Sequence, residues 1–357
     1  MDMNESGVLR KPNNRYGRRA LRIIAVSILI MLIVAIGSAV VYNNLRDRMP
    51  GIIKGEKVDY DGHYVYIVSD DDRDFWENVY NAAVDEATKD NIYIEDIGDA
   101  LGVNYKDTDL LRVAINSSVD GIIYGGATDE TAVELIDQAV AEGIGVVLLQ
   151  NDVEASSRQC FVGVNNYELG QMYASQLADI ATAPEQPRAL SVYALIDKTM
   201  NEGASNVIVM AIEDYFSENY PDYPKPEVSL VRINSEDTFS VEEDIRKIFL
   251  DDENLPDVIL CLSSIYTRCA YQAVVDQNMV GEVQIIGYFA GNSILEAVSK
   301  QIIYSTISVD TWEMGRSSVQ ALKEYKEFGY TNSYMPVSTQ VIGYMEAGKL
   351  LSRGDGS

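Results

Sequence analysis

The sequence predicts an α/β protein with two parallel β-sheets, each covered by helices on both faces, behind a single N-terminal transmembrane helix. Three observations lead to this prediction. Short apolar strands alternate with amphipathic helices from residue 63 onward, the alternation restarts after residue 164, and a segment of uncharged residues precedes both units. Apolar strands that alternate with helices typically form parallel sheets that are buried on both faces.

The uncharged segment covers residues 23–42 (IIAVSILIMLIVAIGSAVVY) and follows a basic segment, residues 1–22, with six Lys or Arg side chains. At about 1.5 Å per residue, a helix of this length spans the roughly 30 Å hydrocarbon core of a bilayer. The basic flank predicts a cytoplasmic N-terminus, a single-pass anchor in the cell membrane and an extracellular or periplasmic main domain. The small residues Gly37, Ser38 and Ala39 leave open a cleaved signal peptide as a second interpretation.

Charge and cysteine content exclude several classes of function. The net charge is −27, and residues 1–22 contribute +4, which leaves −31 for the remainder. So acidic a protein is not expected to bind nucleic acid or anionic lipid. Cys160, Cys261 and Cys269 are too few for a disulfide framework and are expected to be small buried hydrophobes. The only histidine, His63, lies far from them in sequence, so neither a metal site nor a cofactor is predicted.

Hydrophobic periodicity assigns the elements in order after a polar linker at residues 43–61. In the first unit the predicted strands are residues 63–69, 93–97, 121–124, 145–149 and 160–164, and the predicted helices are 75–90, 108–117 and 130–142. In the second unit the predicted strands are 189–195, 228–233, 258–262, 283–288, 304–308 and 335–342, and the predicted helices are 168–180, 201–215, 241–251, 267–277, 292–300 and 312–328.

Five segments of the chain follow one another in an order and spacing that is specific, although each alone is weak evidence. They are YVYIVSDDDRDFWENVYNAAVDEA, VDGIIYGGATDETAVELIDQAVAEGIGVVLLQND, FVGVNNYELGQMYASQLA, VQIIGYFAGNSILEAV and IIYSTISVDTWEMGRSSVQAL. In this order they resemble the type I periplasmic binding proteins, in particular the ribose/galactose-type sugar receptors, whose core is shared with LacI-type regulators. The resemblance covers about residues 62–345. A LacI-type repressor would carry a basic helix-turn-helix in place of the apolar N-terminal segment, so a transcription factor is not expected.

The resemblance implies two α/β lobes that enclose a ligand and are joined by three crossings. We expect the crossings near residues 163–166, 288–291 and 309–313. Lobe 1 is then predicted to hold residues 62–163 plus 289–311, lobe 2 residues 164–288 plus 312–345, and the C-terminal tail residues 346–357. The cleft is expected at the carboxyl ends of the strands, where open parallel sheets bind ligands.

Matching positions in the family give a set of candidate ligand contacts. Phe75 and Trp76 take the places of two aromatic residues that sandwich the sugar. Gln150 and Asn151 stand where the receptors commonly have a charged pair, and Phe289 stands where they have an Asp that binds hydroxyls. The complete predicted set is Arg73, Phe75, Trp76, Gln150, Asn151, Asp152, Met200, Asn201, Tyr266, Thr267, Phe289 and Asp310.

Departures from the family's pattern bear on the ligand. Arg73 falls where sugar receptors often have Asn, which admits a charged or carboxylate-bearing ligand. Aromatic side chains stand at other polar positions of the family. A pocket of Trp76, Tyr266 and Phe289 with few fixed charges predicts either a ligand less polar than a free pentose or a cleft that no longer binds tightly.

Enzyme interpretations are weaker. Asp70, Asp71 and Asp72 follow the first strand, where phosphatases of the haloacid dehalogenase type keep a nucleophilic Asp, but a solvated loop is the simpler interpretation in so acidic a chain. The glycines form no phosphate-binding motif. His63 begins a strand, so it is not expected to serve a catalytic triad.

The sequence therefore predicts a non-enzymatic, membrane-anchored receptor for a small organic solute, with a sugar or sugar derivative as the leading class. Because the chain contains no channel or ATPase, it must pass cargo or signal to a partner, either an ABC-type sugar permease or a sensor histidine kinase. The retained anchor favours sensing. A structural or interaction module that kept the fold and lost the ligand is the alternative.

Overall fold

The computed structural model describes residues 31, 59–68, 73–98, 105–183, 188–198, 200, 202–235, 237–250 and 254–353. Residues 60–357 form one compact unit. The predicted basic segment, membrane segment and linker lie outside the described residues, apart from residues 31 and 59–61. Within the described ranges, no helix combines the length and the apolarity that a membrane span requires.

Sheet 1 is a parallel sheet of six strands. Numbered along the chain, its strands are β1 (Gly62–Val68), β2 (Ile92–Asp96), β3 (Gly121–Gly125), β4 (Gly145–Leu149), β5 (Cys160–Gly163) and β11 (Tyr334–Pro336). Their order across the sheet is β11-β5-β4-β3-β1-β2. Every pair of neighbours is parallel, so the carboxyl ends of all six strands lie at one edge.

Sheet 2 has the same size and nearly the same arrangement. Its strands are β6 (Ser191–Asp197), β7 (Glu227–Ile233), β8 (Val258–Cys261), β9 (Gln284–Tyr288), β10 (Ser305–Val309) and β12 (Thr339–Gly343). Their order is β12-β10-β9-β8-β6-β7. Only β12 runs antiparallel to its neighbour. The predicted α/β architecture with two mainly parallel sheets is confirmed.

Ten helices cover the two sheets within the part of the chain that the structure describes. Those of lobe 1, which is sheet 1 with its helices, are α1 (Arg73–Thr88), α2 (Asp107–Asn116), α3 (Glu130–Ala141) and α9 (Thr311–Phe328). Those of lobe 2, which is sheet 2 with its helices, are α4 (Asn166–Thr182), α5 (Glu202–Asn219), α6 (Thr238–Ile248), α7 (Ser264–Asp276), α8 (Asn292–Ser299) and α10 (Tyr344–Arg353).

The central strands are buried on both faces, which explains their continuous apolar runs. All five residues of β3 and all five of β4 are buried. Ile122 and Val146 pack into one apolar cluster of lobe 1, whereas Ile123 and Val147 pack into the cluster on the opposite face. Successive side chains of a strand point to opposite faces, so neither face tolerates a polar residue and the polar groups collect at the strand ends.

The chain passes between the lobes at positions that differ in part from the predicted crossings. It leaves lobe 1 between β5 and α4, returns between β10 and α9, and leaves again between β11 and β12. The predicted crossing near 288–291 is absent, because β10 continues sheet 2 beside β9, with Ser305 opposite Ile286. Residues 289–309 therefore belong to lobe 2, and α9, assigned to lobe 2 from the sequence, packs on sheet 1.

The C-terminal region also differs from the prediction. The single strand expected at 335–342 is two strands in different sheets, and the residues between them form the third crossing. The Val337 amide donates to the Gly163 carbonyl at 3.2 Å, which holds this crossing beside the first one. The expected tail, residues 346–357, begins inside α10. Ala347 is fully buried and Leu350 packs against the core, so the helix is amphipathic and belongs to lobe 2.

The three cysteines are free and buried, which confirms the expectation of small buried hydrophobes. Burial raises the pKa of the Cys160 thiol to about 12 and that of the Cys269 thiol to about 11. Neither thiol therefore ionises appreciably near neutral pH.

Helices α1 and α9 approach closely at Gly315. A Cβ atom at Gly315 would lie 2.8 Å from Ala82 Cβ and 2.9 Å from the Ala83 amide nitrogen, and closer still to the Val79 carbonyl oxygen. Only a residue without a side chain permits this contact, which joins the first helix of the compact unit to a helix more than 200 residues later.

We expect Gly315→Ala to lower the free energy of unfolding by about 2 kcal/mol, because the added methyl group forces α1 and α9 apart. Gly348→Ala is the matched control, since Gly348 lies at an exposed position of α10 and a Cβ there meets nothing within 4 Å. It should raise stability by about 0.5 kcal/mol through helix propensity. Urea unfolding of both variants checks the pair, and equal effects would contradict the close contact.

Candidate ligand-binding cleft

A cleft of about 2290 Å³ lies between the two lobes. It is lined at the carboxyl ends of strands from both sheets, by Val68 and Gly125 in lobe 1 and by Asp197 and Tyr288 in lobe 2. Ligand pockets typically measure roughly 300–1,000 Å³. The cleft is therefore larger than a typical pocket for one small solute.

The structure brings most of the predicted ligand contacts to this cleft. Its lining includes Arg73, Trp76, Gln150, Asn151, Asp152, Met200 and Tyr266. Lobe 1 supplies the first five of these residues and lobe 2 the last two. Asn201 lies outside the described residues.

Phe75 and Phe289 lie behind the cleft lining, at the contact between the lobes. Phe75 is fully buried, and its ring meets the Phe289 ring edge-on at a centroid distance of 5.2 Å. Phe289 has a left-handed backbone with φ of 74°. Close by, Asp74 of lobe 1 lies 3.9 Å from Arg268 of lobe 2. These contacts join the two lobes at the N-terminal end of α1.

Thr267 and Asp310 also lie outside the lining, where hydrogen bonds fix their side chains. Thr267 Oγ1 donates to the Ser263 carbonyl at 2.8 Å and accepts from the Tyr288 amide at 2.9 Å. Asp310 caps α9 by accepting from the Glu313 amide at 2.8 Å. Both residues position elements that border the cleft.

Trp76 forms the aromatic part of the lobe 1 wall. Its ring packs edge-on against Phe75 at a centroid distance of 4.8 Å, and Tyr66 donates to its carbonyl at 3.0 Å. Gly125 makes room for the indole, since a Cβ atom there would lie 2.6 Å from Trp76 Cη2. Trp76 is 6% exposed and lines the cleft, so its indole presents a small, fixed apolar surface there.

The loop after β4 brings polar groups to the same wall. Gln150 has a left-handed backbone with φ of 61°, which turns the chain sharply at the strand end. Asp152 forms a two-pronged ion pair with Arg158, in which Nη2 lies 2.5 Å from Oδ2. Arg158 also donates to the Ser333 carbonyl at 3.0 Å. The pair ties this loop to the segment that leads into β11.

The lobe 2 wall carries a carboxylate held by two hydroxyl groups. Asp197 ends β6, and its carboxylate accepts from Ser235 Oγ and from Tyr266 Oη, the latter at 3.4 Å. The two hydroxyls lie 2.7 Å apart. The neighbouring Asn234 amide donates to Asp244 at 3.0 Å, and this hydrogen bond holds the pKa of Asp244 below its ordinary value. Hydrogen bonds therefore hold both the Asp197 carboxylate and the neighbouring Asn234–Ser235 segment in place.

A second carboxylate is built into the outer wall of lobe 1. Asp107 accepts from the Ala127 amide and from Tyr124 Oη, the latter at 3.3 Å. Burial and the Asp107 carboxylate raise the pKa of Tyr124 far above its ordinary value, so its hydroxyl remains a donor. Gly126 permits the arrangement, because a side chain there would collide with Tyr124 and Asp107.

The cleft contains more fixed charge than the sequence suggested. Nine Asp or Glu and four Lys or Arg side chains line it. The expectation of few fixed charges came only from the positions that match the family's ligand contacts. Most of the charged residues that line the cleft lie at other positions. Asp197 and Ser235 were missed, although Asp197, as the polar last residue of a largely buried strand, gives a usable signal. Ser235 lies beyond β7, most of which is not buried, and gives none. Arg158 sits in a loop and carries no sequence signal.

The described residues offer no support for the enzyme interpretations. Asp70, Asp71 and Asp72 lie outside them. In the ranges that the structure describes, no group of three or more His, Cys, Asp or Glu side chains is arranged to hold a metal ion.

Comparison with known proteins gives one family and many similar folds. A family described as "Periplasmic binding protein domain" matches residues 64–329. No curated protein matches the chain.

Among solved structures, GanP, a glucose-galactose binding protein from Geobacillus stearothermophilus, is 19% identical with a TM-score of 0.65 over 80% of this chain and 98% of its own. The Caulobacter myo-inositol binding protein bound to myo-inositol is 17% identical with a TM-score of 0.65 over 85% and 100%. The XylFII-LytSN complex is 20% identical with a TM-score of 0.61 over 80% of this chain and 98% of its own. At these identities the likeness establishes the two-lobe fold.

Arg158→Gln is expected to lower the free energy of unfolding by about 2 kcal/mol, because it leaves the half-buried Asp152 carboxylate without its cation. Side-chain exposure in this pair is 12% for Arg158 and 18% for Asp152. The control is Arg188→Gln, which breaks an ion pair with Asp257 in which Arg188 is 63% exposed. That loss should stay below about 1 kcal/mol. Chemical denaturation measures both, and a smaller loss for Arg158→Gln than for the control would contradict the structural role.

Proposed function

The chain belongs to the periplasmic binding protein domain family, and on that premise we propose that it is an extracytoplasmic solute-binding protein. It encloses a small sugar or sugar derivative between its two lobes. The observation that carries this proposal is the cleft itself, whose lining combines aromatic side chains with hydrogen-bonding groups from both lobes. Trp76 offers an apolar surface, and Asp197 and Ser235 offer acceptors and a hydroxyl to the ligand.

Binding without catalysis is the second part of the proposal. Family and neighbours are binding proteins. The three thiols are buried, and the raised pKa values of Cys160 and Cys269 make them poor nucleophiles. Gln150 and Asn151 bind by hydrogen bonds and do not exchange protons near neutral pH.

The solute or the signal must then reach a partner. We assign the apolar segment 23–42 as a retained anchor with a cytoplasmic N-terminus, so the lobes are tethered outside the membrane. A tethered receptor suits a sensor histidine kinase better than bulk uptake through an ABC-type sugar permease. The occurrence of a similar fold in the XylFII-LytSN complex supports a protein partner.

Tryptophan fluorescence tests ligand binding, because the chain has only two tryptophans. Trp76 lines the cleft, whereas Trp312 is 47% exposed and lies outside the lining. We expect Trp312→Phe to retain a ligand-dependent fluorescence change and Trp76→Phe to lose it. The full chain is first screened by thermal shift against monosaccharides, sugar acids, disaccharides, cyclitols and nucleosides. Ligand at 100 times Kd should add about 2.7 kcal/mol of stability.

A cleft that binds none of these solutes would overturn the proposed function of a solute receptor. If no solute class shifts the melting temperature and both tryptophan variants give flat titrations, the ligand-free interaction module takes its place. Binding that persists with equal affinity in Trp76→Ala would move the site away from the cleft.

Deletion of residues 1–42 tests the tether. Ligand affinity should stay unchanged, because the lobes lie beyond the deleted segment, whereas ligand-induced transcription in cells should disappear. Replacement of residues 23–42 by an unrelated apolar segment of equal length is the matched control and should restore the response. A full response from the deleted protein would contradict sensing through an anchor, and loss of sugar uptake instead of transcription would favour the permease.

A further inference from the structure

Hydrogen bonds join the three passages between the lobes, and the third passage lies at their centre. It is short, since β11 ends at Pro336 and β12 begins at Thr339. The Val337 amide donates to the carbonyl of Gly163, the last residue of β5 before the first passage. The next residue, Ser338, is bound to the second passage. These two residues therefore connect all three passages.

The N-terminal end of α9 holds both backbone groups of Ser338. The Ser338 carbonyl accepts from the Asp310 amide at 2.9 Å, and the Ser338 amide donates to Glu313 Oε2 at 2.7 Å. The following residue, Thr339, already pairs with Val309 in sheet 2, whereas α9 packs on sheet 1. The Glu313 side chain therefore links a helix of lobe 1 to the point where the chain enters sheet 2.

This contact departs from the usual arrangement at the start of a helix. Asp310 caps α9, and Glu313 is the third helical residue. In a capping box, a glutamate at this position accepts from the amide of the capping residue itself. Here the Asp310 amide donates to Ser338 instead, and the Glu313 carboxylate accepts from the Ser338 amide. A side chain that ordinarily stabilises its own helix thus binds a passage between the lobes.

A second side-chain contact lies at the first passage. Tyr334 of β11 donates to the Gly163 carbonyl at 3.2 Å, and its hydroxyl lies 3.4 Å from Glu168 Oε2 in the first turn of α4. Burial and the Glu168 carboxylate raise the pKa of Tyr334, so its hydroxyl remains a donor near neutral pH. Tyr334 lines the cleft, whereas Glu313 does not. Glu313 is therefore placed to act on the lobes without touching a solute.

The passages act as the hinge of a two-lobe protein, because relative movement of rigid lobes is confined to a few connecting residues. A receptor that spends only part of its time in the binding-competent arrangement has its affinity reduced by that fraction. The contact between Glu313 and Ser338 excludes arrangements in which the second and third passages separate. Such a restriction raises the affinity for a solute, because less freedom is lost on binding.

We propose that Glu313 is a positioning residue of the hinge. Its carboxylate holds the second and third passages together, limits the relative movement of the lobes and so keeps the cleft competent to bind. The effect on binding rests on the proposed function, whereas the restricted movement is a property of the free protein.

Distances between spin labels test the restriction without any solute. The full chain carries one label in each lobe, through Gln138→Cys and Asp222→Cys, at positions that are exposed and outside the cleft lining. The native cysteines are buried and are not expected to react with the label. Glu313→Ala should broaden the distribution of distances between the lobes. Glu313→Gln should restore its width, because the amide oxygen still accepts from Ser338.

Glu324→Ala is the matched control. Glu324 lies in the same helix, and its carboxylate accepts from Thr331 Oγ1 at 2.8 Å within lobe 1. This variant loses a hydrogen bond of the same kind and should leave the distances between the lobes unchanged. Equal broadening in both alanine variants would overturn the inference, because the effect would then be a general loss of stability.

Stopped-flow mixing with D-glucose, D-galactose and myo-inositol tests the effect on binding. For a solute that binds, Glu313→Ala should slow association on the order of fivefold, the loss of about one hydrogen bond, and leave the dissociation rate unchanged. Glu313→Gln should recover most of the association rate. A change confined to dissociation would overturn the positioning role, because Glu313 would then stabilise the bound solute.

The outcomes separate the inference from the function beneath it. A distance distribution that Glu313→Ala leaves unchanged overturns the inference, whether or not a solute binds. Broadening in Glu313→Ala alone, in a protein that binds none of the screened solutes, supports the role of Glu313 in the hinge and overturns the proposed solute receptor.

Discussion

The close contact of α1 with α9 at Gly315 determines how the two lobes can be joined. Lobe 1 takes its first five strands from residues 62–163 but one of its covering helices from residues 311–328. The chain must therefore leave lobe 1, build most of lobe 2 and return. The first and third passages lie side by side, because the Val337 amide bonds to the Gly163 carbonyl.

The sequence predicted the strands correctly where they are completely buried. Strands β3 and β4 are continuous apolar runs that begin at a glycine, and their predicted ranges differ from the observed ones by at most one residue. The prediction failed where the number of strands depends on which sheet each segment pairs with. Residues 335–342 are apolar enough for one strand, but Pro336 ends β11 and Val337 begins the passage to the other sheet. Nothing local distinguishes one strand from two short strands in different sheets.

The candidate site was also predictable only in part. Gln150 directly follows β4 and Trp76 lies in the first turn of the helix after β1, so alignment with a family finds them. The hydrogen bonds of the lobe 2 wall depend on partners far apart in sequence, since Ser235 lies 38 residues from Asp197 and 31 from Tyr266. Only the folded sheet brings their side chains together.

The discontinuous lobe 1 also sets an order for the assembly of the protein. A chain made from its N-terminus presents β1 to β5 long before α9 exists. The part of one face of sheet 1 that α9 covers, at β4 and β5, therefore stays uncovered until about residue 328 has emerged, whereas α1 already packs at β2. Lobe 2 has most of its strands and helices by then. An exposed apolar sheet face is prone to aggregation during this interval. If the chain is exported, this face must remain shielded by export factors or chaperones until its last large helix arrives, and truncations before that point leave lobe 1 without its cover.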